Sequence, residues 1–111
     1  ATMTVIGDVK GKNVILIDDM VDTAGTITKA ADLMLSEGAK SVRALASHAI
    51  MRDPASEKVS NSGMTEMIFT NSIPFNKDCK KAHIISVAGL IADTIRRVHN
   101  NESISSQYLI K

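Results

Sequence analysis

Val14 to Ile17, VILI, is an unbroken run of β-branched and aliphatic residues that ends directly in two adjacent carboxylates, Asp18 and Asp19. A strand with one wet face alternates apolar and polar residues. A continuous apolar run instead predicts a strand covered on both faces, as in a parallel sheet. A parallel sheet needs crossover helices, and the chain supplies one at once. Ile27, Ala30, Ala31, Met34 and Leu35 fall on one helical face. Gly38 is placed to end that helix. Ser41 to Ser47, SVRALAS, alternates as the next strand. Together these segments make one βαβ unit, which crosses over right-handed.

The same alternation continues. TVIGDVKGKNVILI reads as two short extended pieces around a Gly/Asp/Lys turn. Pro54 opens a short helix over Ala55 to Asn61. Glu66 to Thr70 is a third strand, Pro74 to Lys81 is polar and broken, and His83 to Val87 is a fourth strand. Ala88 to His99 follows as a helix with Ile91, Ile95 and Val98 on one face. Arg96, Arg97 and His99 occupy its last turns, where cations suit the helix dipole. Asn100 to Lys111 is a polar tail with a small apolar end. This pattern predicts an α/β fold with a mostly parallel sheet flanked by helices. At 111 residues the chain makes one domain. It begins abruptly at a strand-like piece, as a segment of a longer protein would.

Charge and composition narrow the function. Thirteen basic and 12 acidic groups nearly cancel, and there are two Phe, one Tyr and no Trp. Neither a basic surface nor a set of stacking aromatics is available, so no nucleic-acid or anionic-membrane partner is expected. No apolar run is long enough to cross a bilayer. The single cysteine, Cys79, cannot form an internal disulfide. A cytoplasmic protein is the expectation.

The chemistry concentrates in DDMVDTAGT. Ligands of open α/β sheets bind beyond the carboxyl ends of the strands, where Asp18 and Asp19 lie. Asp22, Thr23, Ala24, Gly25 and Thr26 lead into a helix start, whose unpaired N–H groups and partial positive charge suit a phosphate. Carboxylates would repel that phosphate but accept hydrogen bonds well from vicinal sugar hydroxyls. A sugar phosphate satisfies both halves. The simpler alternative is that Asp22 or Thr23 only caps the helix while Asp18 and Asp19 are solvated. A receiver-like magnesium site is disfavoured, because the third strand ends in Thr70-Asn71 and offers no matching acid.

VILIDDMVDTAGT resembles the phosphoribosyl-binding signature of type I phosphoribosyltransferase-fold proteins. GDVKGKNVILIDDMVDTAGT, GAKSVRALASHAI, TNSIPF and IRRVHNNESIS follow in the order seen in ribose-phosphate pyrophosphokinases, the PRPP synthetases. The resemblance covers nearly the whole chain and implies the C-terminal domain of such an enzyme. It implies transfer of the β,γ-diphosphoryl group of ATP to the 1-hydroxyl of ribose 5-phosphate, with Mg²⁺, giving PRPP and AMP. Asp22 to Thr26 would hold the 5-phosphate. Asp18 and Asp19 would face the ribose hydroxyls, with Asp18 the better match. Ser103 and Ser105 match tail residues of an allosteric phosphate or nucleotide site between subunits of a homo-oligomer, a hexamer in the family.

The resemblance assigns no catalytic residue and no metal ligand to this chain. The family's catalytic Lys and Arg loop, adenine site and metal ligands precede the matching segment. The chain alone is therefore expected to bind sugar phosphate weakly and not to catalyse transfer. Two departures stand out. Ala24 replaces a more usual Gly or Cys, and Met51-Arg52-Asp53-Pro54 replaces a small Ser-Gly stretch. A catalytically silent regulatory homologue is the alternative from another class. A plain phosphoribosyltransferase would lack the ESIS tail. His48 is expected to make a structural bond at a strand end. His83 and His99 lack zinc-ligand spacing. Cys79, in KDCKK, is expected in a solvated loop.

Overall fold

A computed structural model describes residues 2–108. Strand β1 spans Asn13–Val21, helix α1 Gly25–Ser36, β2 Ser41–Ala49, helix α2 Ala55–Asn61, β3 Glu66–Thr70, β4 Ala82–Ile85 and helix α3 Ala88–His99. A 3₁₀ turn, Ser105–Tyr108, closes the described chain. The sheet order is β1-β2-β3-β4, and every pairing is parallel.

That order decides where the core sits. Each strand is laid beside its predecessor in one direction, so right-handed crossovers deliver α1 and α2 to the same face. Leu16, Ala44, Met67 and Ala82 form one row across the sheet on that face. Ala44 and Met67 are fully buried, and Leu16 and Ala82 pack against the core. Ala31 of α1 and Ala55 of α2 are also fully buried, and their short side chains let both helices lie close. Phe69 reaches Phe75 in the β3–β4 connection, ring centroids 6.0 Å apart. Helix α1 ends at Glu37, and Gly38 takes φ +94°, a left-handed conformation natural to glycine.

The second face of the sheet differs from expectation. Ile15 is 58% and Ile17 81% exposed, so β1 is covered on one face only. Its unbroken apolar run does mark a strand, but among the described residues nothing lies over the other side. Helix α3 does not cover it. That helix packs against no strand and no other α-helix, and it has no buried residue. Its stripe of Ile91, Ile95 and Val98 faces solvent. The radius of gyration, 16.6 Å, exceeds the roughly 13 Å of a compact chain this long, in keeping with a helix that stands away.

Three smaller corrections follow. Residues 4–9 form no strand, so the first of the two extended pieces is irregular. Strands β1 and β2 run past their predicted ends, to Val21 and Ala49, and β4 runs from Ala82 to Ile85 rather than from His83 to Val87. Cys79 is buried at 9% exposure, not solvated, because the turn closed by Ala82 N–H on the Cys79 carbonyl tucks it inward.

Phe69→Ala empties a core position and should cost about 3–5 kcal/mol in a urea titration followed by circular dichroism. Ile17→Ala, on the uncovered face, should change the same measurement by no more than about 0.5 kcal/mol.

Candidate functional site

Parallel pairing gathers the carboxyl ends of the strands at one edge. There β1 carries Asp18 in register with Ala46 of β2, which pairs with Phe69 of β3. Alternation along a strand sends neighbours to opposite faces. That alternation breaks at this edge, where Leu16 and Val21, of opposite parity, both pack on the core, and Asp18 borders the loop cavity as well as a cleft with Ile17, Leu45 and Ile68. Asp18, Met20, Val21 and the whole of Asp22–Ile27 line a cavity of about 240 Å³. Asp19 does not line it. Of the two carboxylates expected to meet a sugar, the structure brings one to the loop.

The acids are locally tied. Asp18 Oδ1 accepts from the Asp19 N–H at 2.8 Å, and Asp19 Oδ1 from the Met20 N–H at 2.8 Å. Hydrogen bonding with the Asp18 side chain, then the Met20 N–H, holds the Asp19 carboxyl below the usual carboxylate range. The charge on His48 adds to this.

The helix start is left open. Ala24 is the N-cap at φ +66°, ψ 10°, and no side chain caps α1. Nor is there an acidic residue in its first turn. Among the described residues, the amides of Thr23, Ala24, Gly25, Thr26 and Ile27 meet no acceptor. The first bond of the turn is Thr28 N–H to the Ala24 carbonyl, 3.1 Å, reinforced by Thr28 Oγ1 at 2.6 Å. The simple capping alternative thus fails, since neither Asp22 nor Thr23 caps the helix. What remains is a row of donors at the positive end of a helix, bordering a cavity. Such an arrangement is electrostatically suited to an anion.

Two cations outside the predicted set approach this loop. Arg52 donates from Nε to Asp22 Oδ1 at 2.7 Å and from Nη2 to Oδ2 at 2.6 Å. The bidentate pair draws the Asp22 carboxyl below its ordinary range and pushes the Arg52 guanidinium up. Lys58 of α2 sends its ammonium near Gly25, where an added Cβ would lie 3.4 Å from Nζ. Arg52 was visible in the sequence only as a departure. Lys58 carried no signal, because nothing local links α2 to the loop.

Other expected residues lie apart. His48 Nδ1 bonds Ser72 Oγ at 2.7 Å, the structural role expected of it. Ser103 and Ser105 bond each other at 2.9 Å beyond α3 and do not line the cavity. Arg97 donates to the Ser103 carbonyl at 3.1 Å and to Asp93 at 2.9 Å, so the helix-end arginines are engaged within this segment. Arg96 and then Arg97 and Gln107 hold the Asp93 carboxyl below its usual range. No three His, Cys, Asp or Glu residues cluster as a metal site among the described residues.

Fold and site together define an α/β domain with an uncapped helix start that borders a cavity beyond the carboxyl end of its first strand. The model of the phosphoribosyl synthetase-associated domain matches residues 1–110, and the chain belongs to that family. It is 59% identical to a ribose-phosphate pyrophosphokinase of Porphyromonas gingivalis over 108 residues, covering 97% of this chain and 34% of that protein. It is 43% identical to ribose-phosphate pyrophosphokinase 3 of Saccharomyces cerevisiae, over 98% of this chain and 34% of that one. The crystal structure of phosphoribosylpyrophosphate synthetase from Mycobacterium smegmatis superposes with a TM-score of 0.83 at 43% identity, over 86% of this chain and 33% of that one. The chain therefore spans about a third of the length of the relatives it matches.

A left-handed Ala24 is strained relative to glycine, while glycine gains more freedom on unfolding. Ala24→Gly should therefore stabilise the chain by about 1 kcal/mol, read from the urea midpoint. The depressed Asp22 carboxyl, paired with Arg52 across two loops, also predicts a small pH dependence. Its contribution is complete above about pH 4, where the unfolded carboxyl is ionised, and is lost as pH falls through its lower folded value. The midpoint should drop below pH 4 in the chain. The Asp22→Asn variant should drop slightly less.

Proposed function

We propose that this chain is the ribose 5-phosphate-binding part of a ribose-phosphate diphosphokinase, a domain within a longer enzyme that makes PRPP and AMP from ATP and ribose 5-phosphate. One observation carries the reading: five residues whose backbone amides meet no acceptor among the described residues line a cavity at the positive end of α1, with Asp18 in the same wall. Its identity to ribose-phosphate pyrophosphokinases supports the choice of sugar phosphate over other anions.

In this reading the Thr23–Ile27 amides and the Thr23 and Thr26 hydroxyls donate to the 5-phosphate oxygens. The α1 dipole favours the dianion. Asp18 accepts from a ribose hydroxyl, fixing the ring so that its 1-hydroxyl is presented in one orientation. Asp19 lies outside the cavity wall, so its role at the sugar is the lesser one. The domain's contribution to the reaction is positioning, which removes orientational freedom ahead of an in-line transfer. ATP and Mg²⁺ belong to this proposal as parts of the whole enzyme. The resemblance places the ion's protein ligands before this segment, and among the described residues no three His, Cys, Asp or Glu side chains cluster. The C-terminal place of the domain, a cytoplasmic homo-oligomer and an allosteric site at Ser103 and Ser105 are carried by the resemblance.

Ribose 5-phosphate, but not ribose, should shift the amide resonances of Thr23 to Ile27 in a titration of the chain followed by nitrogen–proton correlation spectra. In the full-length enzyme, Asp18→Asn and Thr26→Val each remove a charge-assisted bond of about 1.5–3 kcal/mol. Each should lower kcat/KM for ribose 5-phosphate by roughly 10- to 150-fold. Unchanged kinetics in both variants would overturn the assignment.

A further inference from the structure

We propose that Arg52 is a positioning residue for the phosphate loop: it holds the Asp22 carboxylate in a two-pronged ion pair and so makes the loop fit to receive a dianion. The inference rests on the acceptor-site reading above and adds to it a residue from the β2–α2 connection.

The need for such a residue follows from the loop itself. Asp22 is the first residue beyond β1 and lines the same cavity as the unpaired amides. A free carboxylate there would repel a phosphate, because unit charges of like sign a few ångströms apart interact strongly near a protein surface. Capping the helix would have given Asp22 a task, but it caps nothing. Arg52 takes both of its oxygens, at 2.7 and 2.6 Å. The pair has no net charge, and its planar fork fixes the carboxylate plane.

The backbone delivers Arg52 to this place across 30 residues of sequence. Both Ile50 and Met51 N–H groups donate to the Val21 carbonyl at 3.1 Å, which ties the end of β2 to the end of β1. Met51 takes φ +51° and buries its side chain at 1% exposure. With Met51 anchored inward, the next residue emerges beside Asp22. The Arg52 side chain is 70% exposed, and exposed ion pairs add little to folding stability. Stability therefore does not account for an arginine in a stretch where small residues were expected. The electrostatic state of the loop does.

The test is a double-mutant cycle on the chain, with ribose 5-phosphate and inorganic phosphate as probes at pH 7.5. Correlation spectra report both binding and folding, and a variant at so exposed a side chain should keep its dispersed spectrum. Arg52→Ala should weaken ribose 5-phosphate binding by about tenfold, a modest fraction of the unscreened repulsion. Arg52→Lys, which keeps the charge and loses the fork, should lose less. The Asp22 carboxyl should titrate at higher pH in Arg52→Ala, a change that loss of packing alone would not produce. In an Asp22→Asn background, Arg52→Ala should lose clearly less affinity than in the parent, because only the arginine's own charge is lost and no carboxylate is released toward the phosphate.

An equal loss in both backgrounds would mean that Arg52 acts on the phosphate by its own charge or contact and not through Asp22, which overturns the positioning role. Unchanged affinity in Arg52→Ala alone overturns it too, while leaving the acceptor-site reading in place. Failure of the unaltered chain to bind ribose 5-phosphate would remove that reading and this inference together.

Discussion

The handedness of the crossover is the constraint on which the rest of this structure depends. A strand laid parallel to its predecessor must return by a connection that packs on one side, and L-residues make that side nearly invariant. With strands added in a single direction, helices α1 and α2 have no choice but to share a face. The same geometry puts every strand's carboxyl end at one edge, and the loop from β1 into α1 opens there. Core and site are thus two results of one rule. The alanines at 31, 44 and 55 are its packing counterpart, since bulkier residues would hold the helices off the sheet.

Charge at the edge is organised by contrast rather than by accumulation. The start of α1 has neither an acidic first turn nor a side-chain cap, so its amides keep their electropositive character. Carboxylates stand close by, but each is occupied differently. Asp18 lines the cavity, Asp19 does not, and Asp22 is taken by Arg52. In the proposed reading a site so arranged admits an anion and a polyol together. Three free acids in one wall would repel the anion.

Much of this was legible in the sequence, and the misses have a common cause. Helices α2 and α3 and strand β3 coincide with the predicted spans, because caps, periodicity and turn residues are local signals. The open helix start after Asp22 was legible for the same reason. Exposure was not. Ile15 and Ile17 look buried from their neighbours in sequence, yet burial depends on which face the helices take and on what else covers the sheet. The same holds for Cys79, whose charged neighbours suggested solvent while a turn carried it inward. The Arg52–Asp22 pair joins two loops 30 residues apart and could be found only in three dimensions. The two adjacent aspartates looked equivalent as letters, yet only Asp18 lines the cavity.

Helix α3 gives the chain two tiers of cooperativity. It touches neither the sheet nor its fellow helices, so its 12 residues are held mainly by their own hydrogen bonds and by Asp93 with Arg96, Arg97 and Gln107. Helices of that length are marginal in water without tertiary support. Its amides should therefore exchange with deuterium through local opening, while those of β2 exchange only when the whole sheet comes apart. A single unfolding free energy then describes the sheet with α1 and α2, and α3 follows a separate, shallower equilibrium.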